Sequence, residues 1–161
     1  MSESTGTRLS PVVLALLVST LNPQYALAAS DENPYNVRPP VTPTDLRIAQ
    51  RAKELLNTPA KWNRADTRLC HVKACKSGCP KNAKTFSLYC ALANATTEVT
   101  GDFEHRGAVM QEARFIIDEV ATNRRDFQHR LQGYNNDPAT TFADIQTVLR
   151  LLVERIRMRL P

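Results

Sequence analysis

Thr141-Phe142-Ala143-Asp144-Ile145-Gln146-Thr147-Val148-Leu149-Arg150-Leu151-Leu152-Val153-Glu154-Arg155-Ile156-Arg157-Met158-Arg159-Leu160 is the stretch that decides the fold. Thr141 and Asp144 have the spacing of a capping box, in which each side chain satisfies a backbone N–H at the start of a helix. Behind them Ile145, Val148, Leu149, Leu152, Val153, Ile156 and Leu160 recur at three- and four-residue intervals, one apolar helical face. Arg150, Glu154 and Arg157 fall on the other side, where Glu154 can reach both arginines.

The same grammar appears upstream. Thr42-Pro43-Thr44-Asp45 starts a first helix, with Thr42 as cap and Pro43 at the first helical position. Leu46, Ala49, Ala52, Leu55 and Leu56 form its apolar face, and Asn57-Thr58-Pro59 ends it. Phe86, Tyr89, Cys90 and Ala93 mark a second helix closing before Gly101. Val109, Ala113, Ile116, Ile117 and Val120 mark a third. Asn123 with Asp126 caps a short fourth segment bearing Phe127, Leu131 and Tyr134, ended by Gly133 and the Asn135-Asn136-Asp137-Pro138 turn. No alternating strand pattern of useful length and no internal repeat is present. The expectation is an all-α domain over residues 44–161, a compact bundle of four to five helices.

Residues 61–84 break this regularity. They hold Trp62, three of the four cysteines, Gly78 and Pro80, and read as a long loop that needs a tie. The amino-terminal sequence says what the tie is. Arg8 precedes the apolar run Val12-Val13-Leu14-Ala15-Leu16-Leu17-Val18, and Ala26-Leu27-Ala28 offers small residues for cleavage before Ala29. Residues 1–28 therefore read as a signal peptide. The apolar run is shorter than the ~20 residues a spanning helix needs, which argues against a permanent membrane anchor. Residues 29–43 carry Pro34, Pro39, Pro40 and Pro43 and read as an extended leader. Localisation is expected to be periplasmic or secreted, where thiols oxidise.

Cys70, Cys75, Cys79 and Cys90 thus read as two disulfides. Three connectivities are open. The favoured one joins Cys70 to Cys90 and Cys75 to Cys79, because Cys90 lies on a helix that can receive the far end of the loop. Each bond would stabilise by about 2–4 kcal/mol. Zinc needs paired ligand knuckles, and Cys70 and Cys90 make no second knuckle beside Cys75 and Cys79. Covalent haem needs C-x-x-C-H, and His71 lacks the cysteine three residues before Cys70. No cofactor or metal is expected.

The formal charge of +5 is unevenly placed. Residues 47–84 hold ten Lys or Arg against Glu54 and Asp66, a local excess of +8. Arg64, Arg68, Lys73, Lys76, Lys81 and Lys84 form the candidate basic contact face, suited to an acidic protein or an envelope polyanion. Nucleic acid is disfavoured by export and by the scarcity of aromatics, only Trp62 and Phe86, in the stretch. The leading expectation is an exported binding module. The competing one is a small envelope hydrolase using a histidine beside a carboxylate, Glu104-His105 or Asp126 with His129. Ser77 and Ser87 lack a G-x-S-x-G context, and no glycine-rich phosphate loop exists. Asn94-Ala95-Thr96 fits the glycosylation triplet but falls in a helix. His71, like the others, has surface histidine as its ordinary role.

Three segments carry a resemblance. Leu56-Asn57-Thr58-Pro59-Ala60-Lys61-Trp62 matches L-x-x-P-x-x-W, and Tyr89-Cys90-Ala91-Leu92-Ala93-Asn94-Ala95 is similar to W-C-A-L-G-A. The run Tyr134-Asn135-Asn136-Asp137-Pro138-Ala139-Thr140-Thr141, followed by Asp144-Ile145, is similar to N-D-x-P-x-T-T-x-x-D-V, with an extra asparagine before Asp137. Together they resemble a family of small helical bacterial and phage proteins that carries no assigned function. This chain departs from the pattern in its export signal, its three loop cysteines and Ala93 in place of glycine. The resemblance implies architecture and no activity. On physical grounds Trp62 should pack against the Cys90 helix, Asp137-Pro138 should turn the chain, and Thr141 should cap the last helix.

Overall fold

The computed structural model describes residues 37–66, 78–80, 82–124, 127 and 129–161. Five α-helices appear: α1 (Pro43–Leu55), α2 (Leu88–Thr100), α3 (Ala108–Val120), α4 (Arg130–Asn136) and α5 (Phe142–Met158), with a single 3-10 turn at Pro59–Lys61. No strand is formed among the described residues, and the expected all-α bundle is what the chain builds. The sole extended pairing among the described residues is an isolated bridge between Trp62 and Phe86.

Both threonine capping boxes form. Thr42 and Asp45 exchange bonds at the start of α1, and Thr141 and Asp144 do so at the start of α5. Each box satisfies backbone donors that the first turn leaves without intrahelical partners, and is worth about 1 kcal/mol. The Thr141 N–H to Asp144 bond, at 2.8 Å, holds the Asp144 carboxyl below the ordinary carboxylate range. Ser87 caps α2 by accepting from the Cys90 N–H. At the other end of α2, Gly101 takes the left-handed conformation (φ +84°) that a side chain would resist.

The core gathers where the apolar faces meet. Ile145, Val148, Leu149, Leu152 and Ile156 of α5 are all buried, as their spacing requires. α1 packs against α2 and α5, and α3 packs against α5 and α4. α2 is the central helix, with every residue from Leu88 to Thr96 buried. In α3 the stripe holds for Val109, Ala113, Ile116 and Ile117, but Val120 is 38% exposed in the last turn. Asn94 and Thr96 lie in the buried stretch of α2, and the Asn94 amide donates to the Pro80 carbonyl. The glycosylation triplet is therefore inside the fold.

Four local expectations are corrected. The disulfide joins Cys79 to Cys90, at a Cα separation of 5.5 Å, so neither Cys70–Cys90 nor Cys75–Cys79 forms. Cys90 does receive the loop, but from its near end, because Cys79 lies beside α2 while the Asn94 amide holds Pro80. Cys70 and Cys75 lie outside the described residues, and only each other remains as an intrachain partner. The second helix begins at Leu88, with Phe86 outside it in the bridge. Gly133 does not end α4 but sits inside it, where a Cβ would come within 3.0 Å of the Phe127 ring. Helix α4 starts at Arg130 with no side-chain cap, so Asn123 does not cap it. Asp126 lies outside the described residues.

Residues 37–42 form no helix but are tied to the bundle. Val41 is buried, Arg159 donates to the Pro39 carbonyl at 2.6 Å, and the Arg38 guanidinium lies 4.5 Å from the Phe115 ring centroid. The rest of the leader and the signal-peptide reading, residues 1–36, fall outside the described residues. No helix among the described residues is long and apolar enough to cross a membrane.

Candidate functional site

The polar residues of α4 organise the region that the sequence left as a loop. The Phe86 N–H donates to the Lys61 carbonyl at 2.7 Å, and the Asn63 N–H donates to the Phe86 carbonyl at 2.8 Å. This lays the chain leaving α1 beside the chain entering α2. Asn135, fully buried in α4, then joins them. Its Oδ1 accepts from the Trp62 indole N–H at 2.8 Å and from the Leu88 N–H at 3.0 Å. Its Nδ2 donates to the carbonyls of Asn63 and Arg64 at 3.0 and 3.1 Å. A buried amide is tolerated only when such partners are supplied, and Asn135 has them on both ends.

Asn136 extends the hub by one residue. Its Oδ1 accepts from the Asp66 N–H at 2.8 Å and its Nδ2 donates to the Asp66 carbonyl at 2.9 Å. Gln132 donates to the same carbonyl at 2.8 Å. The buried Asp66 carboxylate accepts from Ser87 Oγ at 2.8 Å. The chain is thus fixed where it enters the segment after residue 66 and fixed again by Cys79–Cys90 where it leaves. Trp62 makes a ring contact with Phe142 at the start of α5, 6.1 Å between centroids. It meets α2 through the oxygen that Asn135 shares with Leu88.

Electrostatics divide the surface. Across the helices arginines sit on carboxylates: Arg51 on Glu98 at 2.6 Å, Arg130 on Asp118 at 3.0 Å, Arg150 on Glu154 at 3.0 Å. Arg159 holds the fully buried Glu112 at 2.5 Å, and Arg155 bridges Glu112 and Glu119. Arg155 keeps the Glu119 carboxyl below its ordinary range. Lys53 on α1 and Arg157 on α5 are exposed without an ion pair among the described residues, and the bridge region adds to them. Lys61, Arg64 and Lys84 are exposed and pair with no carboxylate among the described residues. Of the candidate contact face, Arg64 and Lys84 are therefore placed at the surface around the hub. Arg68, Lys73, Lys76 and Lys81 lie outside the described residues.

The histidines are arranged for orientation. Arg114 Nη2 lies 3.1 Å from His105 Nε2, and the Tyr89 hydroxyl lies 3.4 Å from Nδ1. A guanidinium only donates, so Nε2 accepts and the ring proton sits on Nδ1, toward Tyr89. The lone pair a general base would use is thereby engaged by Arg114. Phe103 packs edge-on to both His105 and Tyr89. His129 precedes α4 and accepts from the Gly133 N–H through its carbonyl. His71 lies outside the described residues.

Sequence reading missed Asn135, Asn136, Asp66 and Ser87 as one constellation. A signal existed: Asn135 follows Leu131 by four residues and so shares its buried face once α4 is allowed to run through Gly133. The three segments that carried the resemblance also meet here. Trp62 ends the first, Tyr89 opens the second just after Ser87 and Leu88, and Asn135 and Asn136 lie in the third. No curated protein and no solved structure matches the chain. The model of a family of unknown function, DUF6197, matches residues 40–155, and the chain belongs to that family.

Proposed function

We propose that this member of a family of unknown function is an exported binding module. It would present the basic segment between Trp62 and Cys90 to an acidic protein or an envelope polyanion. The observation that carries the reading is the clamp at both ends of that segment, hydrogen bonds from Gln132 and Asn136 to Asp66 on one side and Cys79–Cys90 on the other. Binding residues concentrate on loops held by a rigid scaffold. The clamped stretch, residues 67–78, carries Arg68, Lys73 and Lys76 and no Asp or Glu. The flanking Lys61, Arg64 and Lys84 add charge that the fold does not neutralise. Export supports the same reading, since a signal peptide delivers the chain to an oxidising compartment rich in anionic surface.

The test uses the oxidised chain beginning at Ala29 and its Arg68→Gln/Lys73→Gln/Lys76→Gln variant on immobilised heparin. The parent should be retained and released by salt, because screening weakens exposed charge contacts. The triple variant should elute near the void. Equal retention of the two proteins would overturn the reading. Recovery of an intact Met1 or Ser2 terminus from the native host would remove its premise of export.

A further inference from the structure

Beside the hub lies a shallow recess of about 570 Å³ lined by Arg64, Ala65, Asn136 and Pro138. Its polar groups are one-sided. Asn136 Oδ1 already accepts from the Asp66 N–H and from Asn135, and one Nδ2 proton goes to the Asp66 carbonyl. What Asn136 has left to offer is an N–H. Arg64 can only donate. Its Nη2 bonds the Pro138 carbonyl and, at 3.3 Å, the Asp137 carbonyl, and its guanidinium lies 5.7 Å from the Trp62 ring centroid. These contacts fix the guanidinium. They leave Nε and Nη1 without a partner among the described residues.

A fixed guanidinium with open donors, beside an amide N–H and small apolar walls, suits an oxyanion. Carboxylate and phosphate both accept from such charged donors singly, and holding the donors in place beforehand lowers the cost of binding. We infer that the Arg64 recess is an oxyanion-binding site, the anchor point for the carboxylate or phosphate groups of whatever the basic segment meets. The inference sharpens the basic-face reading and rests on it for the partner, but not for the site.

Trp62 is the only tryptophan in the chain, so its fluorescence and its indole N–H resonance report on this spot alone. The oxidised chain is titrated with inorganic phosphate, with succinate, and with chloride at matched ionic strength. Phosphate or succinate should give a saturable change that chloride does not, and the one that saturates names the source of the oxyanion. Arg64→Lys, which keeps the charge and loses the planar group held against the Pro138 and Asp137 carbonyls, should weaken the response about tenfold. Ala65→Phe, which crowds the recess and leaves the Arg64 bonds alone, should weaken it at least as much. Identical responses to all three salts, or variants that titrate like the parent, would overturn the site. The triple variant at Arg68, Lys73 and Lys76 separates the two claims. Heparin retention without a phosphate or succinate site sinks the inference alone, and the site without retention sinks the basic-face reading alone.

Discussion

The α3–α5 face and the Trp62–Phe86 bridge use the same basic residues to opposite ends. On the first, Arg155 and Arg159 close over Glu112 and Glu119, and Arg159 reaches on to the Pro39 carbonyl. These four charges are paired within the chain. At the second, Lys61, Arg64 and Lys84 are exposed beside a hub built of amides and carbonyls, and the Asp66 carboxylate is buried against Ser87. Charge consumed inside the fold supports the fold. Charge left outside it is available to something else, and that difference separates scaffold from surface in this molecule.

The sharpest way to break the comparison is at Glu112. Its side chain is fully buried while Arg155 and Arg159 keep 22% and 28% exposure, so removing it takes the only carboxylate from Arg159 and leaves Arg155 with Glu119 alone. Glu112→Ala should cost about 3–5 kcal/mol in a urea melt, the range for breaking a buried pair. A loss below about 1 kcal/mol would mean the face is no more committed than an ordinary surface. Next comes the hub. Asn135→Ala deprives the Trp62 indole and the Leu88 N–H of their acceptor and should cost about 1–3 kcal/mol.

A smaller effect follows from pH. Asp144 and Glu119 titrate below their ordinary values, the first held chiefly by the Thr141 N–H and the second by Arg155. A depressed folded-state pKa contributes stability above the unfolded value, about pH 4, and loses it as pH falls through the folded one. Asp144→Asn should therefore cost more at pH 7 than at pH 3. Equal costs would show that the Asp144 carboxylate adds nothing to the cap. The smallest effect is expected at the basic rim. Lys61→Ala and Lys84→Ala should change stability by no more than about 0.5 kcal/mol, since neither has an intrachain carboxylate partner.

How legible this was depended on the range of the interactions. The capping boxes at Thr42 and Thr141 lie within one turn, and the apolar faces of α1 and α5 within five, so both could be read from spacing. The disulfide choice could not, because Cys79 is brought to Cys90 by the path of a loop without periodicity. The end of α4 was misread because glycine usually marks a boundary, whereas Gly133 is there to admit Phe127. The hub joins residues 47 to 73 positions apart, a distance no local pattern encodes. The basic excess was visible as a count, but which of its members the fold leaves unpaired was not.

Asn135 also has a meaning in time. Contacts so distant along the chain form only after the intervening segments have been brought together, while a capped helix can nucleate by itself. α1 and α5 should therefore organise early and the hub should close last. Changes at Asn135 would then leave the refolding rate nearly untouched and appear as faster unfolding. The residue that ties Trp62 to the start of α2 would be the latch of the native state, setting how long the fold lasts more than how fast it is reached.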